Sequence, residues 1–327
     1  MKTWTWILVV GWLTVGCAKR DPHFALMGKS QGFLSTPANN KVDILWVIDN
    51  SGSMGPKQTN LANSVQSFMS KFITKKIDFQ IAVVTTDIRP VDPLHPLDPN
   101  FSGQGACIVG TPLLITPTTP DPVHALAANA NVGFFGAADA HGLDAVQLAL
   151  SAPNLSSCNA GFLRSDAFLA VIEFSDSDDD TPSTSNELLS FLNTYKKPYV
   201  VSSMVVDDLS KAACQALGPF SETGLKFMDL ATKTGGSIAS ICDSDFSSGL
   251  LSVSTKILEA TTAVHLATAP DPTTIQVFQN GTPTTKDNNN GWSFDPSSNS
   301  IVFHGEAIPT GAGVNITVNY TPADIVR

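Results

Sequence analysis

Residues 42–54 read VDILWVIDNSGSM. Val42 to Ile48 is a short, mostly apolar run, the signature of a strand buried on both faces. It stops at Asp49, and a helix-like pattern follows within a few residues. Ser51 and Ser53 lie two and four positions beyond the aspartate, with Gly52 between them to let the turn close tightly. One carboxylate and two hydroxyls can therefore converge where a strand hands over to a helix. In an open α/β sheet, ligands collect at the carboxyl ends of strands. Hard oxygen donors of this kind suit Mg²⁺, with Ca²⁺ or Mn²⁺ as substitutes.

The pattern continues outward. Leu61, Val65, Phe68, Met69 and Phe72 recur at spacings of three and four, which predicts an amphipathic helix over 56–73. Buried strands are expected at 79–84, 168–174 and 199–206, with a brief one at 237–241. Helices are expected at 142–150, 187–195, before Gly235-Gly236, and at 246–258. Strands alternating with helices imply a doubly wound, mostly parallel sheet. Residues 88–132, rich in proline, read as a long irregular insertion pinned by Cys107. From Pro270 the period falls to two (Ile275/Val277, Trp292/Phe294, Ile301/Phe303, Val314/Ile316/Val318/Tyr320). Turn signals such as Asn280-Gly281 separate these pairs, so a small C-terminal antiparallel β unit is expected.

The strand and loop at 42–54 resemble the opening of a von Willebrand factor A (VWA) domain. Asp49, Ser51 and Ser53 match the first motif of that family's metal-ion-dependent adhesion site. Asp176, in VIEFSDS after a buried strand, matches its later aspartate, and LATKTGGSIASIC (230–242) resembles its last strand region. The resemblance covers roughly residues 41–262. It implies a doubly wound sheet whose bound cation is completed by a partner protein's carboxylate. The family usually places a threonine in a middle loop. Here that loop, Gly136 to His141, has no hydroxyl, and Asp139 stands ready to take the role directly or through a water.

The chain begins MKTWTWILVVGWLTVGC. Lys2 precedes an apolar run from Trp4 to Val15, shorter than the roughly 20 residues of a spanning helix and suited to a signal peptide. Thr14-Val15-Gly16-Cys17 resembles a bacterial lipobox. That implies a diacylated Cys17 and a leader over 1–16. It also implies a lipid-anchored protein of the cell envelope, with Ala18 pointing to the outer membrane. Residues 17–40 read as a tether, 41–262 as the VWA domain and 263–327 as the β unit. The remaining Cys107, Cys158, Cys214 and Cys242 are an even set in an exported chain, hence two disulfides. Three pairings are open, and chain order favours Cys107–Cys158 with Cys214–Cys242.

Nineteen basic against 29 acidic side chains, with no Lys/Arg cluster, lack the footprint of a nucleic-acid binder. With 43% hydrophobic residues the chain can fill a sizeable core. Asp176, Asp178, Asp180 and Glu187 fall at positions 1, 3, 5 and 12 of an EF-hand loop. Thr181 and Pro182 replace its glycine turn, and a strand precedes it, so a solvated acidic loop with Asp176 alone turned inward is expected. Gly28-Lys-Ser30-Gln-Gly32 matches a hydrolase elbow but lies in the tether. No nucleophile–base pair stands out. The expectation is a non-enzymatic lipoprotein whose cation-dependent domain binds a protein ligand. A metal-stiffened scaffold and a metal-dependent hydrolase are the rivals.

Overall fold

A computed structural model of the chain describes residues 32–90, 103–218 and 221–323. The leader, Cys17 and residues 17–31 of the expected tether lie outside the described residues.

Strand β1 spans Gly32–Pro37 and β2 Lys41–Ile48; helix α1 is Gly55–Thr74 and strand β3 Asp78–Thr85. Helices α2 (Pro122–Asn129) and α3 (Gly142–Ala149) precede β4 (Phe168–Ser175). Then follow α4 (Ser185–Asn193), β5 (Tyr199–Val205), α5 (Ala212–Gln215), α6 (Leu225–Thr234), β6 (Ile238–Ser240) and α7 (Ser247–Thr262). The C-terminal part adds β7 (Val264–His265), β8 (Gln276–Gln279), β9 (Thr282–Thr284), β10 (Trp292–Asp295), β11 (Ser300–Phe303) and β12 (Asn315–Tyr320).

The central sheet has five parallel strands in the order β3-β2-β4-β5-β6. Its two faces are legible in β2 alone. Ile44, Trp46 and Ile48 face one core with α1 and α7, while Leu45 and Val47 face a second with α3, α4 and α6. Alternate side chains of a strand point to opposite faces, so a run buried throughout demands cover on both. Trp46 packs on Phe68 and Phe174, with ring centroids 5.1 and 4.8 Å apart. Among the described residues no helix is long and apolar enough to cross a membrane.

The insertion has a structural task. Ile115 and Val109 bridge Ile81 and Val83 antiparallel, covering the open edge of β3. The Cys107–Cys158 disulfide and Asn159, whose Oδ1 accepts Ile108 N–H at 2.7 Å, tie this segment down. Cys214–Cys242 is also formed, so the pairing is the one chain order favours. Helix α2 was not expected from the sequence. It is a single apolar patch begun by Asp121 and Pro122, with Asp121 Oδ1 accepting the His124 N–H.

The C-terminal part forms two antiparallel sheets, β1-β12-β8-β9 and β10-β11-β7. Residues 32–37, expected as part of the tether, instead pair with β12 from Gly32↔Tyr320 to Pro37↔Asn315. Strand β1 turns Gly32, Leu34 and Thr36 inward and leaves Phe33 69% exposed, so its alternation has almost no apolar signal. Gly32 is required there, since a Cβ would lie 2.4 Å from the Tyr320 ring. Residues of β8, β10, β11 and β12 join the same apolar cluster as α1 and α7. Glu259 Oε1 of α7 and His304 Nδ1 lie in hydrogen-bond contact at 2.7 Å beside it.

Candidate metal centre

The sheet order reverses between β2 and β4, since β2 continues to β3 on one side and β4 to β5 on the other. Crevices at such switch points are where open α/β sheets bind ligands. Asp49 and Asp176 each follow one of these strands, and they meet there.

Asp49 is fully buried. Its N–H continues the sheet to Phe174 O at 2.8 Å, while Oδ1 accepts Ser51 N–H at 2.7 Å and Oδ2 accepts the Ser175 hydroxyl at 2.7 Å. Burial pushes its carboxyl above the usual range; the Ser51 and Ser175 hydrogen bonds pull it down, and the charge of Asp176 pushes the same way as burial. Residues Gly52–Met54 form one 3₁₀ turn, anchored by buried Met54, that leads into α1. This turn brings Ser51 Oγ to 3.3 Å from Ser53 Oγ, and Ser53 Oγ donates to Asp176 Oδ1 at 2.9 Å. Ser53 Oγ thus lies 3.3 Å from Ser51 Oγ and 2.9 Å from Asp176 Oδ1. Neighbouring ligands in an octahedral Mg²⁺ shell of radius about 2.1 Å are about 3 Å apart, so the donor set fits such an ion.

The middle loop is laid over this turn. Gly136 N–H donates to Asn50 O at 2.8 Å, and Gln58 Nε2 donates both to Asp49 O at 3.1 Å and to Gly133 O at 2.7 Å. A Cβ on Gly136 would lie 2.3 Å from Asn50 Oδ1. Asp139 is exposed on the wall of a cleft of about 380 Å³ that Ser51, Ser53, Ser177, Asp180 and Glu222 also line. It does not join Asp49 and Asp176 directly. Among the described residues the one trio of His, Cys or carboxylate ligand atoms within 4.8 Å is Asp207, Cys214 and Cys242, and both sulfurs there are in a disulfide. Phe134 and Phe135 are exposed in the same loop with ring centroids 4.7 Å apart, and the Phe134 ring lies against Gly55.

The acidic loop after Asp176 differs from the solvated stretch expected. Asp179 is buried, and its carboxylate accepts Leu143 N–H at 3.0 Å and Thr181 N–H at 2.9 Å. Asp178 Oδ1 accepts Lys226 N–H at 3.0 Å and Asp180 Oδ2 accepts Ala140 N–H at 3.2 Å. These aspartates serve backbone groups at the starts of α3 and α6 or in the middle loop, where helices leave N–H groups unpaired. Nothing of an EF-hand cage is assembled, because they point to different partners.

The sequence reading missed two residues. Ser175, directly before Asp176, orients Asp49. Lys57 lies one turn into α1 with its side chain 9% exposed; Nζ donates to Asp176 Oδ2 at 2.7 Å and to Ser53 O at 2.9 Å. A signal was present. Lys57 sits three residues after Met54 and four before Leu61, on the apolar stripe of the helix, where an unpaired lysine is not tolerated.

The chain thus has a doubly wound parallel sheet with an Asp-x-Ser-x-Ser turn at its switch point. Solved structures similar to this chain include proximal thread matrix protein 1 (PTMP1) of the mussel byssus, at 11% identity over 72% of this chain and 52% of that one, TM-score 0.43. PTMP1 with a zinc-occupied MIDAS motif gives 10% identity over 72% and 52%, TM-score 0.42. The pilus adhesin SpaC of Lactobacillus rhamnosus GG gives 12% identity over 89% of this chain and 40% of that one, TM-score 0.40. The chain therefore spans about half or less of the length of these structures. No protein-family model and no curated protein matches it.

Proposed function

We propose that this chain is a lipid-anchored protein of the bacterial cell envelope whose VWA-like domain binds a divalent cation and, with it, an acidic side chain of a partner protein. The supporting observation is the set Ser51 Oγ, Ser53 Oγ and Asp176 Oδ1, with neighbouring oxygens 3.3 and 2.9 Å apart, in which Ser51 and Ser53 line the cleft and Asp176 and Asp49 are buried behind them. Ser51, Ser53 and Asp176 would hold Mg²⁺, Ca²⁺ or Mn²⁺, with Asp49 and Asp139 acting through water. The ion would supply the positive charge that attracts a carboxylate. The exposed Phe134–Phe135 pair on the rim would add apolar contact. We assign the domain no catalytic role, and Asp178, Asp179 and Asp180 are already committed to backbone N–H groups.

Calorimetry with Mg²⁺ and Mn²⁺ tests the site: Asp49→Ala should lose cation affinity. Equal affinity in both proteins would remove the assignment. Pull-down from envelope extract in Mg²⁺ against EDTA tests the partner. The anchor is tested by mass spectrometry of the N-terminal peptide, where Cys17 should carry a diacylglyceryl thioether that Cys17→Ser abolishes. A second reading, a scaffold that needs no ion, is favoured by one observation, the Lys57–Asp176 ion pair.

A further inference from the structure

We propose that Lys57 is a built-in counter-cation of this centre: its ammonium holds Asp176 in place without a metal and lowers the affinity for a divalent ion that would share that carboxylate. The proposal rests on the metal-binding reading above.

Asp176 is divided between two tasks. Oδ1 faces the serine hydroxyls, while Oδ2 accepts the Lys57 ammonium at 2.7 Å. The carboxylate is 1% exposed and the lysine side chain 9%, so water screens neither. Burying an ammonium is costly unless a carboxylate and further acceptors receive it. Ser53 O at 2.9 Å is that further acceptor, and it belongs to the residue that supplies a candidate ligand. Lys57 therefore fixes the serine turn and Asp176 together, joining the β2 and β4 loops across the switch point.

The charge balance gives this lysine a purpose. Asp49, Asp139 and Asp176 would place three anions around one divalent ion, and each added anion makes the ion less attractive to an acidic partner. Lys57 offsets one of them. It leaves the ion only Asp176 Oδ1, which accepts the Ser53 hydroxyl, so the ion binds more weakly but keeps more of its positive charge for the partner. The centre also stays ordered when the ion leaves, because the ammonium remains.

The test is Mn²⁺ titration by calorimetry at pH 7, together with thermal melting in EDTA. The proteins are wild type, Lys57→Met, Lys57→Gln and Asp49→Ala. Methionine keeps the apolar stem and removes the charge; glutamine keeps a donor without charge. Both Lys57 variants should bind Mn²⁺ at least tenfold tighter than wild type, about 1.4 kcal/mol. Both should also melt lower than wild type in EDTA and recover when Mn²⁺ is added. Equal or weaker affinity in the folded variants, with wild-type binding still lost in Asp49→Ala, overturns the role of Lys57 and leaves the metal reading intact. Equal Mn²⁺ binding in wild type and Asp49→Ala overturns the metal reading, and this proposal with it.

Discussion

The Asp179 carboxylate holds the backbone N–H of Leu143 at 3.0 Å, 36 residues away in the chain. A β4 loop thus carries the cap for α3, the helix that follows the middle loop. Asp179 also accepts Thr181 N–H and lies 3.8 Å from Lys226 Nζ. Asp179→Ala would strand two buried N–H groups, at a cost of about 1–3 kcal/mol. Urea unfolding should show that loss, while Mn²⁺ affinity stays at the wild-type value. An Asp179→Ala protein of unchanged stability would contradict the capping role.

Much of this was legible in the sequence, for a physical reason. Strands β2 and β4 are mostly apolar runs because both faces are covered, and each is followed by the aspartate it delivers to the crevice. The serines were legible because their spacing fits one tight turn. Lys57 was not, because its partner Asp176 is 119 residues distant and only the sheet order brings them together. Nor was β1, whose inward residues are Gly32, Leu34 and Thr36. The roles of Asp178 and Asp179 were hidden for another reason: an acidic run has the same composition whether it meets water or helix N-termini.

Asp139 stands on the wall of the cleft that Ser51 and Ser53 also line. Asp139→Thr removes a carboxylate and offers a neutral hydroxyl. Retention of the Mn²⁺-loaded domain on a polyglutamate surface should rise several-fold over wild type, and EDTA should abolish the gain. No change in retention would show that Asp139 is too far out to affect the ion.

The two disulfides close loops of 51 and 28 residues. Chain entropy assigns them about 4 and about 3.5 kcal/mol. The Cys107–Cys158 bridge ties down the segment that covers the edge of β3, so its loss should do more than destabilise. Paired Cys107→Ser and Cys158→Ser substitutions should speed hydrogen exchange at Ile81 and Val109, whose N–H groups donate across the edge to Ile115 O at 2.8 Å and Val83 O at 2.9 Å. Paired Cys214→Ser and Cys242→Ser substitutions should leave those amides protected. Non-reducing peptide mapping of the native protein should find no free thiol among the four. Two alkylatable thiols would refute the bridges.

Glu173 is a buried carboxyl with an uncompensated desolvation cost. It lies in the middle of β4, wholly buried, and neither carboxylate oxygen has a hydrogen-bond partner among the described residues. Phe227 and Gly142 close over it: a Cβ on Gly142 would lie 2.6 Å from the Phe227 ring and 3.0 Å from Glu173 Oε2. Burial drives its carboxyl well above the ordinary range, and the charge of nearby Asp179 adds to this. Below about pH 4 the group is protonated in both folded and unfolded chains. As pH rises past that value the unfolded chain ionises while the folded one does not, so stability falls steadily towards the raised folded pKa. Glu173→Met removes the penalty and fills the space with an unbranched apolar chain. The variant should be more stable than wild type by at least about 1 kcal/mol at pH 7, with the gap narrowing towards pH 4. Urea midpoints measured at steps from pH 4.5 to 8 read this directly. A gap that stays constant across the range would mean that Glu173 is ionised in the folded protein and has found a partner there.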